Sequence, residues 1–147
     1  MNKKKLLVLC TGNSCRSQMA EGWFRYLRGN EFETWSAGIE SHGLNSRAVK
    51  VMAEAGVDIS GYRSKLTDEL KSIDFDVVIT VCDSARKNCP YFPGNVKRIH
   101  QSFDEPPYIT KGWTDEESIL DVYRRVRDEI RKFVETFNLK KSKHLYV

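Results

Sequence analysis

The chain has 147 residues, 40% of them hydrophobic and 30% charged, with a formal net charge of +4. That is the size and balance of one globular domain with a single sizeable core. So mild a charge leaves no electrostatic footprint for nucleic acid, and no apolar run has the length that crosses a bilayer.

The first apolar run, Leu6-Leu7-Val8-Leu9, has strand length. Basic residues precede it as in a signal peptide, but it is too short for one and polar Thr11-Gly12-Asn13-Ser14 breaks it. A cytoplasmic protein is therefore expected, in which four cysteines are catalytic, redox-active or buried rather than a disulfide framework. Residues 16–28 predict a helix with Met19, Trp23 and Leu27 on one stripe and Ala20 and Phe24 beside it. Residues 32–36 read as a second strand, followed by a turn-rich stretch from Ala37-Gly38 onward. Asn45 or Ser46 caps a second helix through Val49, Met52 and Ala53 that Gly56 closes. A short helix is expected over 67–72, and 76–82 is the clearest strand, apolar on both faces as in a buried parallel sheet. A short helix over 84–88, a fourth strand over 96–100 and a long helix over 115–137 complete the pattern. The last helix faces the core with Ile119, Val122, Tyr123, Val126, Ile130, Phe133, Val134 and Phe137.

Strands alternating with helices specify an α/β fold, a single domain over 1–147. Ligands in such folds bind beyond the carboxyl ends of the strands, where Cys10 falls. The basic clusters Lys3-Lys4-Lys5 and Lys140-Lys141-Ser142-Lys143 read as solvated ends. Cys82, Cys89, His42, His100 and His144 lack zinc-ligand spacing, so no metal site is expected.

Cys10-Thr11-Gly12-Asn13-Ser14-Cys15-Arg16-Ser17 carries the chemistry. A thiol at a strand end is followed by a small loop, an arginine and a hydroxyl at a helix start. Gly12 and Asn13 tolerate the left-handed conformation of a tight anion cradle. The amides of Thr11, Gly12, Asn13, Ser14 and Cys15 can converge on one tetrahedral oxyanion that Arg16 grips with two prongs. Cys10 should ionise readily there and attack the bound anion, with Ser17 donating a hydrogen bond to its thiolate. Cys15 has a packing role. Cys82, ending a strand on the sheet edge that carries Cys10, is either a buried filler or a second thiol within reach of the first.

These residues, with Met19-Ala20-Glu21-Gly22, Ser36-Ala37-Gly38-Ile39-Glu40 and Gly56-Val57-Asp58-Ile59-Ser60, resemble the low-molecular-weight protein tyrosine phosphatase superfamily over nearly the whole chain. The resemblance implies a central four-stranded parallel sheet flanked by helices. Cys82-Asp83-Ser84-Ala85-Arg86-Lys87-Asn88-Cys89 resembles the redox pair of its thioredoxin-coupled arsenate reductases, which the phosphatases generally lack. It implies that Cys10 forms an adduct with arsenate and that Cys82 displaces arsenite to leave a Cys10–Cys82 disulfide. Cys89 then resolves this to Cys82–Cys89 for an external thiol donor, thioredoxin or an equivalent. The alternative is a phosphatase that hydrolyses phosphotyrosine through a Cys10 phosphoenzyme. Arsenate is the expected ligand, phosphate and sulfate are competitors, no cofactor is bound, and the expected state is a monomer.

The resemblance also implies a general acid, an Asp immediately before a proline in the family; here register offers Glu105, a departure from that pattern, with Asp104 as a rival. Some relatives hold potassium near the loop. Asn13, Glu21 and Ser36 match three of its ligands, while Lys65 stands at the fourth and would replace the cation with its ammonium. Tyr91, Tyr108 and Trp113 are candidates for the pocket mouth. If 82–89 were helical, its ends would lie roughly 10 Å apart at about 1.5 Å per residue. A disulfide needs about 4.4–6.8 Å between Cα atoms, so the segment must unwind on oxidation.

Overall fold

The structure is a computed structural model that describes residues 2–89 and 92–140; Tyr91, His144 and the lysines at 141 and 143 lie outside them. Its first strand, β1 (Lys4–Cys10), is fully buried from Leu6 onward, and β2 (Phe32–Gly38), β3 (Val77–Thr80) and β4 (Lys97–His100) join it in the order β2-β1-β3-β4, all parallel. Parallel neighbours need crossovers, and the helices α1 (Arg16–Arg28), α2 (Ser46–Glu54) and α3 (Asp83–Lys87) lie in them. After β4 come a short α4 (Pro106–Ile109) and the long α5 (Glu116–Thr136), which packs on α1, α2 and α4.

Leu6, Leu7, Val8 and Leu9 alternate across β1 and are all excluded from water, as are Val77, Val78 and Ile79 on β3. Each such side chain contributes about 1.5–3 kcal/mol by leaving water. α1 buries Met19, Trp23 and Phe24, and the Trp23 indole donates to the Arg127 carbonyl at 3.2 Å, which satisfies its one polar atom. Leu27 is half-buried at the fraying end of that stripe. α5 buries Ile119, Leu120, Tyr123, Val126, Ile130 and Val134, with Phe137 just beyond it. Val122 and Phe133 are half-buried, because the stripe at three- and four-residue spacing takes in Leu120 and turns Val122 toward its edge.

Other expectations shift by a few residues. β2 continues through Ala37 and Gly38, which pair with Leu9 and Cys10, where a turn was expected. The helix expected over 67–72 is a single 3₁₀ turn, Thr67–Leu70. α3 begins at Asp83 because the Cys82 sulfur caps it, accepting from the Ala85 amide at 3.3 Å. α4 follows Glu105 where a loop was expected, since Pro106 at its first position lacks only an N–H that would be unpartnered there anyway.

Candidate active site

β1 delivers Cys10 to the carboxyl edge of the sheet, and α1 begins at Arg16, leaving a tight loop between them. Every carbonyl from Cys10 to Cys15 is taken by a donor outside the loop. The Ile39, Glu40 and His42 amides donate to Cys10, Thr11 and Gly12 at 3.3, 2.8 and 3.0 Å, and the Asn45 and Met19 amides donate to Ser14 and Cys15 at 3.0 and 2.9 Å. The Ser64 hydroxyl adds a second bond to Gly12, at 2.9 Å, and Gln18 Nε2 donates to the Asn13 carbonyl at 3.0 Å. With the carbonyls held outward, the peptide hydrogens turn inward. Among the described residues, no amide from Gly12 to Cys15 donates to a protein group. Successive free amides in such a turn form an anion-binding concavity.

Asn13 makes the turn at φ 49°, the only described non-glycine residue at positive φ. Asn is among the few types that tolerate this. Its side chain is fully used: Nδ2 donates to Ser17 Oγ and Ser36 Oγ, both at 2.9 Å, while Oδ1 accepts from Gln18 Nε2 and the Lys65 amide. Gly12 is required for a different reason than expected. Its φ is not positive, and a Cβ there would sit 2.3 Å from the His42 ring, which lies against the loop.

The loop floors a cleft of about 350 Å³ whose rim is His42, Asn45, Glu105 and Pro107. Arg16 is buried, with Nη1 donating to the Phe103 carbonyl at 2.9 Å and Nη2 3.7 Å from Glu105 Oε2. This separates the two acid candidates. Glu105 stands on the cleft, whereas Asp104 pairs with Arg125 of α5 at 3.2 Å and is not part of the lining. Ser17 departs from its expected contact: its described partner is Asn13, not the Cys10 sulfur. Tyr108 and Trp113 are exposed and outside the lining, where Pro107 takes their place.

Cys82 is brought to Cys10. The two thiols are close enough to shift each other's ionisation, Thr11 Oγ1 lies 3.1 Å from the Cys82 sulfur, and all four cysteines are free thiols. The Cys10 contact lowers the Cys82 thiol to about 5, aided by Thr11, the Ala85 amide and the Arg16 charge against the effect of burial. Cys10 is pushed up, first by the same contact and then by burial, with Arg16 opposing. Cys10 thus departs from the ready ionisation expected of it, because its contact with Cys82 and its burial outweigh the Arg16 charge. Cys15 is raised to about 12 by burial, in keeping with a packing role. Cys89, half-buried beyond α3, has its thiol raised by burial, with Arg98 acting against that.

Asn13, Glu21, Ser36 and Lys65 also cluster. Ser36 Oγ donates to Glu21 Oε1 at 2.5 Å, and Lys65 Nζ lies 4.0 Å from that oxygen while donating to the Arg63 carbonyl at 2.9 Å. Arg25 takes Glu21 Oε2 at 2.9 Å. Burial lowers the Lys65 pKa and Glu21 opposes that shift. Two protein cations already hold the carboxylate, so these residues do not fit a potassium ion. Sequence reasoning missed the rim residues His42, Asn45 and Pro107 and the loop anchors Gln18 and Ser64. Gln18 follows the motif directly, but nothing local marks Ser64 as the partner of a carbonyl 52 positions away.

The sequence matches the profile of the family described as low molecular weight phosphotyrosine protein phosphatase over residues 5–144. The chain belongs to that family. Among its relatives, an arsenate reductase of Halalkalibacterium halodurans is 51% identical over 137 residues, covering 93% of this chain and 96% of that one. Arsenate reductase 2 of Staphylococcus epidermidis is 45% identical, with 93% and 98% covered. A solved arsenate reductase in the intermediate state superposes with a TM-score of 0.70 at 32% identity, covering 90% of this chain and 94% of that one. The low molecular weight protein tyrosine phosphatase of T. tengcongensis gives 0.68 at 27%, with 90% and 96% covered. The family thus holds both chemistries on one fold. Among the described residues, no helix is long and apolar enough to cross a membrane, and no cluster of His, Cys, Asp and Glu suits a metal ion.

Proposed function

We propose that the protein is an arsenate reductase that releases arsenite through a Cys10 adduct and a Cys10, Cys82, Cys89 disulfide relay recycled by thioredoxin or a similar dithiol. One observation carries this reading: a second thiol, Cys82, stands beside the nucleophile at the mouth of the anion loop, its sulfur 3.1 Å from Oγ1 of the loop residue Thr11. Hydrolysis of a phosphoester has no use for it.

Arsenate enters the loop, where the free amides and Arg16 hold three of its oxygens. The Cys10 proton passes to Cys82, and the Cys10 thiolate attacks arsenic. One oxygen departs as water after taking a proton from Glu105. Cys82, deprotonated again, attacks the Cys10 sulfur. The S–As electron pair stays on arsenic, which leaves as arsenite, and a Cys10–Cys82 disulfide remains. Cys89 attacks Cys82 and frees Cys10, and an external dithiol returns two electrons to the Cys82–Cys89 bond. Lys65 supplies the charge that organises Asn13, Ser36 and Glu21 beneath the loop, so wild-type turnover is expected to be independent of potassium. Lys65→Ala should lower it and create a response to added potassium, measured as arsenite release in sodium and in potassium buffers.

The decisive experiment measures arsenite release with thioredoxin, its reductase and NADPH, beside hydrolysis of an aryl phosphate. Cys82→Ser and Cys89→Ser should each lose arsenite turnover and keep inorganic phosphate binding. The second reading, phosphoester hydrolysis at the same loop, draws on family membership and on the acid at the cleft. Efficient aryl phosphate hydrolysis with no arsenite formed would establish it in place of the first.

A further inference from the structure

Beside the first turn of α3 lies a polar cluster that the relay does not use. His100, at the end of β4, has Nδ1 2.8 Å from Thr80 Oγ1 of β3, and its Nε2 lies 3.1 Å from Asp83 Oδ1 and 2.8 Å from Ser102 Oγ. Ser102 Oγ donates to the same Asp83 oxygen at 3.1 Å. The ring is nearly buried, its side chain 11% exposed, while Asp83 is 70% exposed. Ser102 first, then His100, hold the Asp83 carboxyl below the usual range, with Arg86 adding to them. Asp83 is the residue after Cys82 and the first of α3. One end of this five-residue helix is therefore tied to two strands, while the other end has, among the described residues, a backbone and a side-chain bond from Asn88 back to the Ser84 carbonyl and a side-chain contact between Cys89 and Arg98 of β4.

We propose that His100, Ser102 and Asp83 form a hook that fixes the first turn of α3, making His100 a positioning residue for Cys82. The inference rests on the relay reading. In the resolving step the Cys89 thiolate attacks the Cys82 sulfur, a Cys82–Cys89 bond forms, and the Cys10–Cys82 bond breaks. Cys10 leaves with the electron pair, and the Cys89 proton has gone to solvent. The helix must shorten between its ends for this to happen. The hook decides which end travels. Cys82 stays against Cys10 and Thr11, held through the Ala85 cap, and the 86–89 turn unwinds toward it. A reacting sulfur kept in place gains its rate from orientation rather than from tighter substrate binding.

The test uses the full chain with His100→Ala, Asp83→Ala and His100→Gln. The exposed position of Asp83 makes its variant safe for folding, and the Gln amide replaces the Nε2 donor. In both Ala variants the Ala85 amide should exchange with deuterium about tenfold faster or more. The kcat for arsenite release should fall by about tenfold with KM for arsenate unchanged. His100→Gln should recover most of both. Wild-type protection of Ala85 in the two Ala variants would overturn the hook, as would a full kcat alongside lost protection. Cys89→Ser run in parallel keeps the readings apart. If that variant still turns over, the relay is wrong, and the exchange result still decides whether Asp83 is held.

Discussion

The anion loop and the thiol segment after β3 are built on opposite plans. Around residues 10–15 each carbonyl has a donor from elsewhere in the chain, and Asn13 alone spends its whole side chain on four partners. Residues 82–89 hold one short helix, Asp83–Lys87, with a sulfur cap before it and a half-buried thiol after it. Binding a small anion requires donors fixed in advance, because reorganisation at the moment of binding would weaken it. Passing a bond from thiol to thiol requires the reverse, a stretch that two arrangements fit almost equally well. The molecule keeps the two demands apart by placing them on neighbouring strand ends.

The largest expected effect sharpens the loop side of this contrast. Glu105→Gln should lower turnover by roughly 10²–10⁴-fold, the usual worth of a positioned proton donor, while Asp104→Asn stays near wild type. Equal losses in both, measured as initial rates of arsenite release, would undo the assignment that Arg125 suggests. Next comes rigidity. A Cβ at Gly38 would lie 2.3 Å from the Glu40 carbonyl and 2.8 Å from both the Asn13 nitrogen and the Thr11 oxygen, all backbone that cannot step aside. Gly38→Ala should therefore lose about 1–3 kcal/mol in denaturant unfolding and weaken phosphate binding. In the other region Lys87→Gly, in the exposed last turn of α3, should lose about 1 kcal/mol or less. A reversal of that order would break the comparison.

The smallest effect is spectroscopic. Cys82 is held at about 5 against an ordinary 9.0, so one thiolate equivalent should be visible in ultraviolet absorbance at neutral pH. It should disappear as pH falls through about 5. Cys10→Ala removes the largest cause of that shift and should move the midpoint upward. The raised Cys15 should stay silent toward alkylation at neutral pH.

The sequence made the buried strands and the long helices readable because their signals are local: continuous apolar runs for β1 and β3, and a three- and four-residue stripe for α5. The loop with Cys10 and Arg16 was readable for the same reason, since both lie in one eight-residue segment that the structure folds around one cleft. α4 was not, because Pro106-Pro107 reads as a loop until its position after Glu105 makes it a helix start. The choice between Asp104 and Glu105 turned on Arg125, about twenty residues further along. The early ionisation of Cys82 depended on Thr11 and Ala85 meeting one sulfur, a juxtaposition that no spacing in the chain records.

The outward-turned carbonyls have a consequence for selectivity. A cradle of peptide hydrogens and one guanidinium reads charge and tetrahedral shape, and by those measures arsenic and phosphorus are twins. Phosphate must therefore fill the same seat, and it will often be the more abundant guest. On the proposed relay, sorting is postponed to the moment when the two thiols deliver two electrons on joining as a disulfide, which only arsenic can accept. On that reading phosphate is expected to slow the protein as a competitor for the loop.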